Sequence, residues 1–286
     1  MSTLPRALVR FLLATLLIVP WSGARAAEAQ PLVFGLFPNL SPRTLVTMYQ
    51  PMRDFLEAEL ERPVELVTAN NFTVFTQRML AGEYDLMVAA PHLARLGQLD
   101  AGYRLLAHYT QPLQACVVVA SGSDLRELRD LKGKRIAVPD RLAVMTSLGI
   151  AMLEQAGLQN GQHYQMFEAK SHNSAAFNVA NGRADAAVIG SIPLEQLSGE
   201  IRDRLRVVAR SQAIPSQYFA VSGKLSSQER MRIERALFKF ARTTGGKHFL
   251  AQYGLLGLAK AGQGELKGMD AHARQAKQAL TEPAGP

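Results

Sequence analysis

Residues Gly82 to Leu93 read GEYDLMVAAPHL, and this stretch decides the fold class. Leu86-Met87-Val88-Ala89 is a short uninterrupted apolar run, the pattern of a strand buried on both faces in a parallel sheet. Glu83 and Asp85 flank the turn before it, and Pro91 ends it. Loops beyond the carboxyl ends of such strands are where open α/β sheets hold ligands, and the next helix offers unpaired N–H groups to an anion. Taken alone, the stretch is equally compatible with a β-to-α loop that holds nothing.

Working outward, strands and helices alternate. Leu32 to Phe37 predicts a strand ended by Pro38-Asn39, and Ser41-Pro42 a helix start with Ser as cap. Leu45, Met48, Tyr49, Met52, Phe55, Leu56 and Leu60 share one helical face, and Pro63 to Val67 returns to a strand. Asn70-Asn71-Phe72 turns into a short helix carrying Phe72, Phe75 and Met79. Downstream, strands are expected at Tyr103 to Tyr109, Leu113 to Ala120, Arg135 to Val138, Tyr164 to Phe167 and Ala184 to Ile189. Helices are expected over 142–156 and from about Ser174 to Asn181. Leu205 to Ala209 then returns, Tyr218 to Val221 continues the first domain, and two helices between Ser226 and Tyr253 close the fold.

This order predicts an α/β protein of two comparable domains, the second inserted into the first through two crossing strands. Residues 30–113 and 210–260 form one lobe, 114–209 the other, and 261–286 a peripheral tail. The expected site is the cleft between lobes, which a two-strand hinge allows to close.

Arg6 and Arg10, the apolar run Phe11 to Trp21 and the small residues of Ala24-Arg25-Ala26 predict a cleaved export signal over residues 1–26. No later stretch approaches about 18 uninterrupted apolar residues, so an exported, soluble mature chain is expected. The formal charge of +8 includes Arg6, Arg10 and Arg25 of that leader, whose removal leaves +5. The remaining cations are interspersed with acids, with no basic stripe carrying aromatics and no zinc-finger spacing, which argues against nucleic acid. The one cysteine, Cys116, allows no internal disulfide, and its place in an apolar strand suits a buried structural thiol rather than a nucleophile.

Three constellations could hold a ligand. In Glu168-Ala-Lys-Ser171-His172-Asn-Ser a strand ends and a helix begins near Asn173 or Ser174, so His172, with Lys170 or Ser171 beside it, faces the space above the sheet. A neutral imidazole donates to an oxyanion, and a protonated one adds charge; a surface histidine without a role is the alternative. In Pro139-Asp140-Arg141-Leu-Ala-Val-Met-Thr146-Ser147 the helix start decides the chemistry. A late start presents the hydroxyls of Thr146 and Ser147, whereas a start at Leu142 puts Asp140 or Arg141 on the rim, where Arg141 could pair with a phosphate-like group or stay solvated. Asn39, Asn71, Phe72 and His92 each follow a predicted strand, although Asn is also common in such turns because it tolerates left-handed backbone. The histidines show no HExxH or close ligand spacing, and there is no G-x-S-x-G elbow, Walker loop or dinucleotide fingerprint. No enzyme activity, metal or cofactor is expected.

Tyr84-Asp85-Leu86 leading to Ala90-Pro91-His92, Leu131 to Ala137, Ser171-His172 followed by Ala175-Ala176, Asn181 to Ala186, and Arg210-Ser211 with Ile214-Pro215 occur in an order and spacing that resemble the phosphonate-binding family. These are periplasmic substrate-binding proteins of phosphate/phosphonate-type ABC importers. The resemblance spans about Leu32 to Tyr253 and implies a two-lobed periplasmic-binding-protein fold that closes on a small, anionic solute and passes it to a permease. A sensory binder addressing a membrane receptor is the alternative, and a periplasmic monomer is expected. By motif, the resemblance implies that His172 contacts the anionic head group, that residues after Pro91 and in the 140–147 loop complete the cage, and that Phe72 walls one side. The chain departs from the family at Ala90-Pro91-His92-Leu93, where members resemble Gly-Pro-Ser-Tyr, and at Leu142 to Ser147, where they carry a Ser/Thr-rich helix start. Gly190-Ser191 replaces an acidic residue that would receive a ligand ammonium, which argues against aminoalkylphosphonates and leaves phosphite, phosphate or another solute open.

Overall fold

A computed structural model describes residues 30–281; the export signal expected over 1–26 lies outside the described residues. The chain opens with β1 (Leu32–Leu36), α1 (Pro42–Leu60), β2 (Val64–Thr68), α2 (Phe72–Leu80), β3 (Leu86–Ala89), α3 (Pro91–Asp100) and β4 (Arg104–Tyr109). It then builds β5 (Ala115–Ala120), β6 (Arg135–Val138), α4 (Val144–Gln155), β7 (Gln165–Glu168), α5 (His172–Ala180), β8 (Ala186–Gly190), α6 (Ser191–Glu195), α7 (Gly199–Arg202) and β9 (Leu205–Arg210). Finally β10 (Tyr218–Val221), α8 (Ser227–Arg242), α9 (Thr244–Gln252), β11 (Leu258–Lys260) and α10 (Asp270–Ala279) follow.

Two sheets result. One has the order β11-β4-β10-β3-β1-β2 and the other β7-β6-β8-β5-β9. In the first, β1 runs parallel to both β2 and β3, and β10 returns antiparallel between β3 and β4. All four residues of β3 are buried, as its apolar run requires when helices cover both faces. In the second, β6 is parallel to β7 and β8, and β5 lies antiparallel between β8 and β9. The chain crosses between the sheets twice, from β4 to β5 and from β9 to β10. The connectors meet in an antiparallel bridge, with Leu113 N–H donating to Ile214 O at 2.9 Å and Ile214 N–H to Leu113 O at 2.8 Å. Two short extended segments side by side join the lobes with few dihedrals between them.

Local sequence explains the elements that carry the site. Ser41 caps α1 through Thr44 N–H, and Pro42 occupies the first turn, where the missing N–H costs nothing. Helix α4 sits close on β8 because Gly149 has no side chain: a Cβ there would lie 2.5 Å from Val188 Cγ1. Cys116 is buried in β5 and takes a contact from Arg210 Nη1 at 3.1 Å.

The segment expected as a peripheral tail is not peripheral up to Ala279. Leu266, Met269, Ala273 and Ala276 are buried in the core cluster that also holds Leu93, Ala94 and Leu96 of α3. Arg95–Asp270 and Lys277–Asp100, both at 2.6 Å, fasten α10 alongside α3. The Ala, Gly, Lys and Gln content hid an amphipathic helix whose apolar stripe is made of small residues that pack closely.

Candidate ligand-binding site

Strand ends from both sheets meet between the lobes around a tight cavity of about 20 Å³, room for about one water molecule. Its walls are mostly apolar: Phe37 and Phe72 from one lobe, Leu113 from a connector, and Val144, Met145 and Pro193 from the other lobe. Phe37 and Phe72 pack edge to face, with ring centroids 4.5 Å apart. Three polar side chains interrupt the apolar walls, Asn39, His172 and Gln217. They are 6%, 3% and 7% exposed. No charged side chain lines the cavity.

The free valences of these three residues give the site its chemistry. His172 stands in the first turn of α5, which starts at the residue itself rather than beyond it as the sequence suggested, because Ser171 is the cap. Its Nδ1 accepts from Gly190 N–H at 3.2 Å, so the ring proton sits on Nε2. Burial pushes its pKa down to about 3, so the imidazole is a neutral donor and lacks the charge assistance that a protonated ring would bring. Among the described residues, neither His172 Nε2 nor the amides of Asn39 and Gln217 meet a protein partner, and all three residues border the cavity.

Helix amino ends supply the remaining donors. Helix α2 is already served: Asn71 Oδ1 accepts from Val74 N–H at 2.8 Å and Asp140 Oδ2 from Phe72 N–H at 3.3 Å. Helix α5 is served as well, with Ser171 Oγ on Ser174 N–H and Asn39 O on His172 N–H, at 3.1 and 3.2 Å. Helix α4 differs. Its cap residue is Ala143, which has no side chain to offer, and the N–H groups of Val144 and Met145 have no partner among the described residues. Ala143, Val144 and Met145 all border the cavity. An uncapped helix end presents a partial positive charge and directed N–H groups, which together suit an anion.

The residues singled out in sequence therefore separate. Asn39, Phe72 and His172 line the cavity. Asn71 and Ser171 act as helix caps, and their side chains face their own first turns. Helix α4 starts at Val144, later than 142, but Thr146 does not present its hydroxyl to the cleft. Thr146 Oγ1 donates to Asp140 O at 2.8 Å and is buried. Ser147 is half-buried a turn deeper, where its N–H returns to Ala143 O at 3.3 Å. Arg141 is half-buried in the turn before α4 and does not border the cavity. His92 is buried beside the cavity with Nε2 donating to Leu142 O at 2.8 Å, and burial pushes its pKa down to about 4. Asp140, weighed only as a rim residue, is 3% exposed, and burial raises its carboxyl to about 6 against the N–H bonds from Leu142 and Phe72. Gln217 escaped sequence reasoning: it precedes β10 in an irregular connector, and no local pattern points it into the cleft. Among the described residues no group of three or more His, Cys, Asp or Glu could hold a metal ion.

Two α/β lobes joined by a double crossover, with a small cavity of neutral donors between them, define a solute-binding protein of the two-lobed periplasmic type. The chain belongs to the family described as "ABC transporter, phosphonate, periplasmic substrate-binding protein", which matches residues 34–265. That family is a substrate-binding component of importers, working with a small-molecule ligand and a transporter permease. The chain is 22% identical over 250 residues to the phosphate-import protein PhnD of Mycolicibacterium smegmatis, covering 80% of this chain and 77% of that protein. Among solved structures, it resembles a binding-protein component of an ABC phosphonate transporter from Pseudomonas aeruginosa, with TM-score 0.77, 17% identity, and 90% and 91% of the two chains covered. It also resembles PhnD1 of Prochlorococcus marinus in complex with methylphosphonate, with TM-score 0.75, 16% identity, and 86% and 98% covered. At such identities the structural likeness establishes the fold alone. No helix among the described residues is long and apolar enough to cross a membrane.

Proposed function

We propose that this chain is the exported, periplasmic binding component of a phosphate/phosphonate-type ABC importer, and that it captures a compact phosphorus oxyanion between its lobes without making or breaking bonds. The observation that carries this is the convergence of His172, Asn39 and Gln217 with the uncapped end of α4 in one cavity. Neutral donors and a helix end hold an oxyanion without the desolvation cost of burying a cation beside it.

The walls sharpen the ligand's identity. A tetrahedral oxyanion turns three oxygens toward these donors, and its fourth vertex then meets Phe37, Phe72 or Met145. An oxygen buried there unpaired costs about 1–3 kcal/mol, whereas P–H or P–CH3 fits. Phosphite and methylphosphonate are therefore preferred over phosphate, by roughly 5- to 150-fold. An aminoalkylphosphonate binds poorly, because no acidic side chain lines the cavity to meet its ammonium.

Calorimetric titration of the mature chain with phosphite, methylphosphonate, phosphate, 2-aminoethylphosphonate and sulfate tests both levels. Saturable binding of any phosphorus oxyanion supports the transport role, and the expected order supports the apolar vertex. Phosphate as the tightest ligand would overturn the vertex assignment alone. A response to none of them would overturn the oxyanion itself.

A further inference from the structure

Beside the cavity, but not part of its lining, one short turn is held from the opposite lobe at two points. Asp140 and Leu142 belong to the turn that leads from β6 into α4. Across the cleft, the amino end of α2 donates Phe72 N–H to Asp140 Oδ2 at 3.3 Å. The first turn of α3 donates His92 Nε2–H to Leu142 O at 2.8 Å. The turn itself is rigid, since Asp140 Oδ1 accepts from Leu142 N–H at 2.8 Å and Asp140 O from Thr146 Oγ1 at 2.8 Å. Asp140 and His92 are 3% and 1% exposed.

Two features distinguish these contacts from ordinary packing. A carboxylate at the amino end of α2 interacts with the helix dipole as well as with one N–H, and opening the lobes gives up both. His92 Nδ1 is buried with no partner, so the ring forgoes one hydrogen bond to water in order to make the other across the cleft. A group left unsatisfied in this way is relieved when the cleft opens. The pair of contacts therefore holds the closed lobes together and also lets them part.

We propose that Asp140 and His92 form a latch on the turn 140–142 that populates the closed lobes before any ligand arrives, so that closure is set by residues outside the ligand cavity. A protein that is already partly closed binds with the closed fraction multiplying its affinity, because only the competent state is stabilised by ligand. The latch governs the cleft assigned above to an oxyanion, but its bonds run between protein groups and need no ligand.

The experiment uses the mature, ligand-free chain, labelled for FRET on the exposed faces of the two lobes and measured also by small-angle scattering. The expected wild-type result is a substantial compact population. His92→Leu, which keeps bulk but has no donor, lowers the closed-to-open ratio by roughly two- to tenfold. His92→Gln, which can still donate to Leu142 O, restores most of it. Asp140→Ala, which removes the acceptor for Phe72 N–H, lowers the ratio by a similar factor, and the double variant falls short of the product of the two because both act on one turn. Melting temperature is recorded alongside, since a merely structural role would lower it without changing the lobe distance. The latch is overturned if the ligand-free wild type is fully open, or if His92→Leu and wild type give the same lobe distance. A ligand titration that stays flat across all oxyanions would sink the oxyanion assignment, while the lobe distances would still decide for or against the latch.

Discussion

The amino ends of α2 and α4 face the same interlobe space and differ in one respect. Helix α2 has its own anion, with Asp140 on Phe72 N–H and Asn71 on Val74 N–H. Helix α4 begins at an alanine and has no side-chain cap. Every helix amino end is a potential anion site, so what distinguishes a ligand site is which end the protein leaves unserved. The carboxylate that closes one end belongs to the turn that delivers the other. Asp140 thus turns α2 into part of the lobe contact, while α4, like the equally uncapped α3, stays open to the solute proposed above.

Making α4 resemble α2 is the most severe test of that contrast. Ala143→Asp would place a carboxylate at the cap of α4, satisfying its N–H groups from within and repelling an incoming anion. The expected loss of methylphosphonate affinity by calorimetry is about 100-fold or more, with circular dichroism unchanged. Binding that survives this substitution would show that α4 is not the anion's seat. His172→Ala removes the buried neutral donor, and a roughly 10- to 100-fold weaker Kd is expected for a hydrogen bond to a charged ligand. An unchanged Kd would remove His172 from the site.

Acidity probes the groups that closure buries. In the closed form burial takes His92 down to about 4 and His172 down to about 3 from an ordinary 6.5, and takes Asp140 up to about 6 from 3.8. As pH falls through 6.5, the open form takes up two protons that the closed form refuses. Once pH passes about 6, the closed form takes up one at Asp140. The histidines outnumber the carboxylate, so the closed fraction is greatest near pH 7 and declines toward pH 5, by roughly tenfold per pH unit. Asp140→Asn, with no proton to take up, should decline more steeply. Interlobe FRET across this range checks both slopes, and a flat wild-type profile would mean that the histidines are not buried by closure. The smallest effect is expected at the served end: Asn71→Ala should cost about 1 kcal/mol of stability through its lost cap, read as a lower Tm, with ligand affinity untouched.

The stretch around Leu86 to Pro91 identified a buried parallel strand, because a four-residue apolar run ended by proline has few other uses in an α/β chain. Asn39, Phe72 and His172 were legible as cavity residues for the same reason: each follows a strand end directly, and the end of a strand fixes direction to within a residue or two. Thr146 and Ser147 were drawn to the site by their hydroxyls on a late helix start, and the start is late, but a carbonyl of the preceding turn lies nearer to Thr146 than the cavity does. The Thr146 hydroxyl turns back to Asp140 O, and the backbone N–H groups of Val144 and Met145 face the cavity instead. Asn71 and Ser171 carried the right chemistry for a ligand and the right position for a cap, and the nearer N–H groups win.

By itself the sequence determined the alternation of strands and helices, the insertion of one α/β unit into another and the strand ends that border the cleft. These follow from periodicity and turn residues, which act over a few positions. Only the tertiary structure decided which donors stay free. Phe72 meets Asp140 across 68 residues of sequence and His92 meets Leu142 across 50, and the small-residue stripe of α10 becomes a core face only once α3 is beside it. Whether a buried N–H is a ligand donor or part of the scaffold depends on what lies opposite it in space, and partners so distant along the chain leave no local pattern.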